Sequence, residues 1–238
     1  MRFLRARSFQ RPLLLALVLT CQAAGADPLD DAQAAARRSD YAAFLSIVRP
    51  LAEQGNAKAQ QWLGVSYQLG QGVPRDYAEA LKWFRRSAAQ QNADAQVNIG
   101  YLYSMGLGVK QDNKEGLRWY VMAARQGNAI AQFNVGSAYR NGNGVGRDDA
   151  QAVKWFRQAA VQGNDPGQCG LGEMYYRGRG TEQDLVRAYM WLSLCSGSPN
   201  ARFFPSRDLV AKNMTAGQIA AAQKLGNECR ERQFKDCR

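Results

Sequence analysis

The sequence predicts an all-α protein, a solenoid of antiparallel helix pairs closed by a helical segment at each end. Three observations carry this prediction. A 36-residue block recurs four times without insertion, at 57–92, 93–128, 129–164 and 165–200. Within each block apolar residues return every three or four positions, the spacing of one helix face. A Gly-x-Gly divides each block into two such halves, at Gly70/Gly72, Gly106/Gly108, Gly142/Gly144 and Gly178/Gly180. Units of this length cannot hide an apolar face alone, so they must stack.

In chain order, residues 1–26 read as a secretory signal. Arg2, Arg5, Arg7 and Arg11 precede the apolar run Leu13 to Leu19, and a small-x-small site follows at Ala24-Gly25-Ala26. The run is far shorter than the ~20 apolar residues of a membrane span. Cleavage after Ala26 is preferred over lipidation at Cys21, because Thr20 is a poor residue before a lipidated cysteine. Residues 27–56 then hold "RRSDYAAFLSIVRPLAEQGN", whose end echoes the close of each block but lacks the Gly-rich turn. This predicts an N-terminal capping helix pair.

Each block opens with a first helix. Its buried face is Ala59, Leu63, Gly64 and Tyr67 in one unit, Ala95, Ile99, Gly100 and Tyr103 in the next, and Ala131, Val135, Gly136 and Tyr139 in the third. A glycine inside a helix costs about 1 kcal/mol against alanine. Gly64, Gly100, Gly136 and Gly172 therefore predict close approach of a partner helix, with Ala80, Gly116, Ala152 and Ala188 facing them. The Gly-x-Gly ends the first helix and supplies positive φ for a tight turn. Asp76, Asp112, Asp148 and Asp184 then cap the second helix. Glu79, Glu115 and Gln151 complete capping boxes, whereas Arg187 predicts a weaker start in the fourth unit. Trp83, Trp119, Trp155 and Trp191 are expected to bury their rings. Ala88-Ala89, Ala123-Ala124 and Ala159-Ala160 are expected to let the following unit pack close.

Residues 201–238 read as a C-terminal helical cap. "ARFFPSRDLVAKN" offers a short helix, and Thr215 with Gln218 opens a longer one in capping-box spacing. With Cys21 in the leader, four cysteines remain, an even set suited to an oxidising compartment. Cys229 with Cys237 is the favoured pair, eight residues apart at the end of the last helix. Cys169 with Cys195 would cross the fourth hairpin, and Cys195 with Cys229 is the rival pairing.

Several function classes are excluded or disfavoured. The chain contains no histidine, which removes His-based triads, His general bases and the common zinc sites. No Gly-x-Gly continues to a dinucleotide fingerprint and no Gly-Lys-Ser/Thr occurs, so the glycines are turns rather than phosphate cradles. Neither a cofactor nor a metal is expected. After residue 26 the chain carries 27 basic and 20 acidic residues, a charge of +7 spread along its length. This favours acidic partner surfaces but forms no basic stripe for nucleic acid.

"AQVNIGYLYSMGLGVKQDNKEGLRWYVMAARQGN" resembles the Sel1-like repeat, a relative of the tetratricopeptide repeat, at almost every position, and the likeness extends from Ala57 to Asn200. The fourth copy departs from it, with Thr181 for Val, Leu192 after Trp191 and "SLCSGSPN" at its end. The resemblance implies a right-handed solenoid that presents first-helix residues on a concave surface to a protein or peptide. Packing spares Val97, Asn98, Tyr101, Phe133, Asn134, Arg140, Glu173, Tyr176 and Arg177, which become the candidate binding residues. Val97, Tyr101 and Phe133 would seat apolar side chains; Asn98, Asn134 and Arg140 would hold polar groups.

The reading is thus a non-catalytic adaptor, exported to the periplasm of a Gram-negative bacterium or secreted, and monomeric because its ends are capped. The rival implied by the resemblance is a β-lactam-binding or weakly hydrolytic cysteine-containing protein. Against it, the eight-residue cysteine spacing of such relatives occurs once only, and no Ser-x-x-Lys is present.

Overall fold

The structure is a computed structural model that describes residues 27–195, 199–234 and 237. The expected signal sequence, residues 1–26, lies outside the described residues. Two helices come first, α1 (Pro28–Arg37) and α2 (Tyr41–Glu53). Four hairpins follow: α3 (Ala57–Leu69) with α4 (Tyr77–Ala88), α5 (Ala93–Met105) with α6 (Asn113–Arg125), α7 (Ala129–Asn141) with α8 (Asp149–Ala160), and α9 (Asp165–Arg177) with α10 (Leu185–Leu194). A 3-10 turn (Pro199–Phe203), α11 (Arg207–Ala211) and α12 (Ala216–Glu231) complete the chain. From α1 to α10 each helix packs on its neighbours in sequence, α2 covering α3 at one end, and α11 and α12 both cover α10 at the other. No strand occurs among the described residues. The fold is an α-solenoid.

The repeated residues set each hairpin. Asn56, Asn92, Asn128 and Asn164 cap the first helices, each Oδ1 accepting the N–H three residues on at 2.8–2.9 Å. The first glycine of every Gly-x-Gly ends that helix in the left-handed region, at φ 74°, 67°, 75° and 62°. The second glycine lies against the preceding unit: a Cβ on Gly108 would sit 2.7 Å from the Tyr77 carbonyl carbon and 2.8 Å from the Ala78 nitrogen. The turn is therefore also a contact between hairpins, where only a bare Cα fits.

The aspartates cap the second helices through their side chains, but the reciprocal half of the capping box is absent. The N–H of Asp76 is already bonded to the Tyr67 carbonyl at 2.9 Å, and Asp112, Asp148 and Asp184 bond likewise to Tyr103, Tyr139 and Tyr175. Glu79 instead holds Lys82, and Glu115 holds Arg118 and the Trp119 indole N–H. The fourth start is not weakened. Asp184 accepts both the N–H of Arg187 at 2.8 Å and its guanidinium at 2.6 Å.

Two packing expectations need correction. Trp83 and Trp191 are buried, but Trp119 and Trp155 are only half-buried. In every unit the buried position belongs to the following residue, Phe84, Tyr120, Phe156 or Leu192. The helix glycines explain this, since a Cβ on Gly64, Gly100 or Gly136 would lie 2.6–2.7 Å from the Phe84, Tyr120 or Phe156 ring. The close approach is real, and its main partner is an aromatic edge rather than a facing alanine. The small pair of the first unit is Ser87-Ala88, since Ala89 is exposed; the Ser87 hydroxyl donates to the Ala57 carbonyl at 2.6 Å.

A buried polar seam went unforeseen. Gln60, Gln96, Gln132 and Gln168 are buried at one register position. Gln60, Gln132 and Gln168 donate to the closing carbonyl of the preceding helix, Ala52, Ala124 or Ala160. Gln90, Gln126 and Gln162 donate in turn to the first three glutamines at 2.7–2.9 Å. The fourth, Gln168, donates, but its Oε1 is left without a partner among the described residues. Bonded amides of this kind fix the register of stacked units, because a slip would strand them.

Asp149 ties the third unit to the fourth. It accepts from Arg147 at 2.7 Å and from Arg179, in the next Gly-x-Gly, at 3.0 Å. These bonds, Arg147 first, push its pKa down to about 2. A carboxylate depressed on folding stabilises above its unfolded pKa near 4, and that contribution is lost as pH falls through about 2. Asp149→Asn is therefore expected to remove at most about 2 kcal/mol at neutral pH. Its urea-unfolding curves should vary less between pH 4 and pH 2 than those of the parent.

Candidate functional site

The first helices α3, α5, α7 and α9 recur along the stack, and α7 touches α9 directly. Units repeat every 36 residues, so like positions can be compared along this row. One position reads Val65, Tyr101, Ser137, Glu173; another reads Leu69, Met105, Asn141, Arg177. The row passes from apolar through neutral polar to charged. The apolar end is open to solvent, with Leu69 at 55%, Tyr101 at 40% and Met105 at 57% exposure.

The candidate residues fall into three groups along this row. Val97 is half-buried against the cluster of Val135 and Leu117, while Asn98 is half-buried and Tyr101 exposed. Phe133 is half-buried, its ring 5.8 Å from that of Phe156, and Asn134 opens onto a cleft. Arg140, Glu173 and Arg177 hold one another: Arg140 to Glu173 at 2.7 Å and Arg177 to Glu173 at 2.9 Å. The first two of these are only 20% and 13% exposed, and Arg140 also lies over the rings of Phe156 and Phe204. Tyr176 packs against the cluster shared with the C-terminal segment. The charged end is thus held together by one carboxylate between two guanidinium groups, leaving open Tyr101 and the cleft at Asn134.

That cleft, about 450 Å³, lies between α5, α6 and α7. Ser104, Gln111, Asn113, Asn134, Ser137 and Asn143 line it beside Met105, Leu117, Ala138 and Tyr120. All its polar groups are neutral. The second unit makes room for it by carrying the small Ser104 where the others have Gln68, Arg140 and Tyr176, while Gly116, alanine in the others, admits the Ser104 hydroxyl that a Cβ would strike. Burial pushes the Tyr120 pKa up to about 12 despite its bond to Ser104, so the phenol stays protonated. Gln111 is fixed by donating to the Ser104 carbonyl at 2.8 Å. Sequence reasoning missed Ser104, Gly116 and Tyr120 as parts of a site. The available signal was the departure of Gly116 and Ser104 from the other copies.

The disulfides lie beyond this face. Cys169 pairs with Cys195 across α9 and α10, Cα–Cα 5.5 Å, and Cys229 pairs with Cys237, Cα–Cα 5.2 Å. Cys195 is thereby unavailable to Cys229. Among the described residues no cluster of His, Cys, Asp or Glu could hold a metal, and no helix is long and apolar enough to cross a membrane. The disulfides and the lack of such a helix fit an exported protein.

Comparison with known proteins agrees with this architecture. Residues 57–92, 93–128, 129–164 and 165–194 each match the Sel1 repeat. A protective antigen present in uropathogenic Escherichia coli strains, with the same repeat fold, is 36% identical over 82% of this chain, with a TM-score of 0.73. A Sel1 repeat protein from Oxalobacter formigenes is 35% identical over 66% of the chain, with a TM-score of 0.61. The chain spans 42% and 46% of the lengths of those two proteins. A Klebsiella pneumoniae sel1 repeat protein, 21% identical, shares the fold over 79% of this chain and 98% of its own, with a TM-score of 0.52. No functionally curated protein matches. Sel1 repeat proteins generally mediate protein–protein interaction and are in general non-enzymatic scaffolds. With four matched units and the stacked hairpins they imply, the chain belongs to the Sel1 repeat family.

Proposed function

We propose that this protein is a non-catalytic adaptor of the bacterial envelope that binds an extended peptide segment along the row of first helices. The observation that carries the reading is the graded chemistry of that row, open and apolar at Leu69, Tyr101 and Met105, then neutral at the Asn134 cleft. An extended segment would place apolar side chains on the first part. Its main-chain amides would meet the carboxamides and hydroxyls of the cleft, which donate and accept without a charge to desolvate. The internally paired Arg140, Glu173 and Arg177 would bound the groove.

A regulatory or assembly role and residence in the periplasm, or outside the cell, belong to the same reading. They are supported by the charged leader and small-residue cleavage motif, and by the disulfides. Residues 27–56 and 201–238 act as caps, which favours a monomer. Absence of histidine, with Cys169, Cys195, Cys229 and Cys237 in disulfides, supports binding rather than catalysis.

The test is selection of displayed peptides on the oxidised mature chain, followed by affinity measurement with fluorescent copies. Enriched peptides should carry apolar residues, and Tyr101→Ala should weaken them about tenfold, as for an aromatic anchor. Asn134→Ala should weaken them several-fold, and Lys154→Ala, an exposed residue of α8, should have no effect. Equal binding by the parent, Tyr101→Ala and Asn134→Ala would place the peptide elsewhere.

A further inference from the structure

The C-terminal segment holds a second cleft, of about 260 Å³, between α10, α11 and α12. Arg207 and Arg230 line it, with Gln223, Asn227, Tyr189 and Gly226. Among the described residues no carboxylate does. Most arginines that bond to a side chain here meet an acid, as Arg118, Arg140, Arg147, Arg177, Arg179 and Arg187 do. The side chain that Arg230 reaches is the neutral Asn227, at 3.3 Å, with no ion pair to it among the described residues. Among the described residues Arg207 pairs with Asp208, at 3.3 Å, whose side chain is 81% exposed, so that solvent screens the pair. Two guanidinium groups and two carboxamides thus border one cleft with little to neutralise them.

Gly226 is an independent sign. It lies inside α12, where glycine costs about 1 kcal/mol against alanine. Gly64, Gly100 and Gly136 are required by the rings beside them, and Gly172 by Leu192. At Gly226, by contrast, a Cβ would meet only Met190 Cγ, at 3.7 Å, an ordinary contact, and its φ is not positive. Packing does not demand this glycine. Its consequence is an open cleft wall one turn before Arg230. The walls are also braced, with Cys229 bridged to Cys237 beside Arg230 and Cys195 bridged to Cys169 at the end of α10. Bracing reduces the ordering that binding would otherwise demand.

We propose that this cleft binds a small oxyanion ligand, a phosphate or a carboxylate, held by Arg207 and Arg230 and oriented by Asn227 and Gln223. Paired planar guanidinium groups suit the two or three oxygens of such a group. The volume lies just below the ~300–1,000 Å³ usual for small-molecule sites. The site is separate from the first-helix groove, and neither reading depends on the other.

Calorimetric titration of the oxidised mature chain with inorganic phosphate, and separately with succinate, tests it. Saturable binding is expected with at least one, and the tighter one identifies the oxyanion. Arg230→Gln should weaken it about tenfold, the worth of one charge-assisted bond, while Arg38→Gln, an exposed arginine just after α1, should not. Gly226→Ala keeps both guanidinium groups and should weaken binding several-fold without lowering the melting temperature. No saturable heat with either anion, or equal weakening by Arg38→Gln and Arg230→Gln, would overturn the proposal.

Discussion

Gly108→Ala is expected to lower the melting temperature of the oxidised chain by roughly 6–12 °C, from a loss of about 3 kcal/mol in a protein of this size. Two terms add. Gly108 sits at φ +67°, a conformation that costs an L-residue about 1–2 kcal/mol. The new methyl would also collide with the Tyr77 carbonyl carbon at 2.7 Å and the Ala78 nitrogen at 2.8 Å. Both are backbone atoms at the start of α4, so no side chain can rotate away and the hairpins must part. Gly127→Ala separates the terms. It has φ +89° but nothing within 4 Å of an added Cβ, so only the conformational cost applies. Thermal unfolding followed by circular dichroism should show Gly108→Ala losing at least twice as much as Gly127→Ala. Equal losses would mean that the second glycine of the turn is not a contact between units.

Replacing both Cys169 and Cys195 by alanine should have an effect of similar size. Their bridge closes a separation of 26 residues against eight for Cys229–Cys237. Chain entropy alone then assigns about 3.5 kcal/mol to the first bridge and about 2.5 kcal/mol to the second. Both sulfurs of the first bridge are buried within the cluster that joins the fourth hairpin to the C-terminal helices, so truncation also leaves unfilled space. Urea unfolding should show a clearly lower midpoint for the Cys169→Ala/Cys195→Ala chain than for Cys229→Ala/Cys237→Ala. The reverse order would place the weak point of the fold in the terminal cap.

How far the molecule was legible in advance depended on whether a feature repeated. Gly70, Asp76 and Tyr103 recur at fixed spacing, and a motif repeated four times reports its local geometry reliably. The buried glutamines recur too, yet a polar residue on a helix reads as surface until its partners are known. Gln60 is silent until folding brings the Ala52 carbonyl and Gln90 beside it. The indoles misled for a related reason. Periodicity places Trp119 and Tyr120 on adjacent faces, and only the closeness of Gly100 decides that the tyrosine goes inside. The candidate site was legible in its apolar part, at Tyr101, because exposure follows from register. Its cleft was not, since the small side chain of Ser104 borders open space only when a third helix closes over it.

The sequence by itself determined the number of hairpins, their length, their turns and their caps, because each of these is a local event within a few residues. Tertiary structure alone decided which aromatic is buried, which arginines are spent on carboxylates and where space is left over. These depend on distances between residues some 18 to 36 positions apart, and periodicity within one helix carries no information about them.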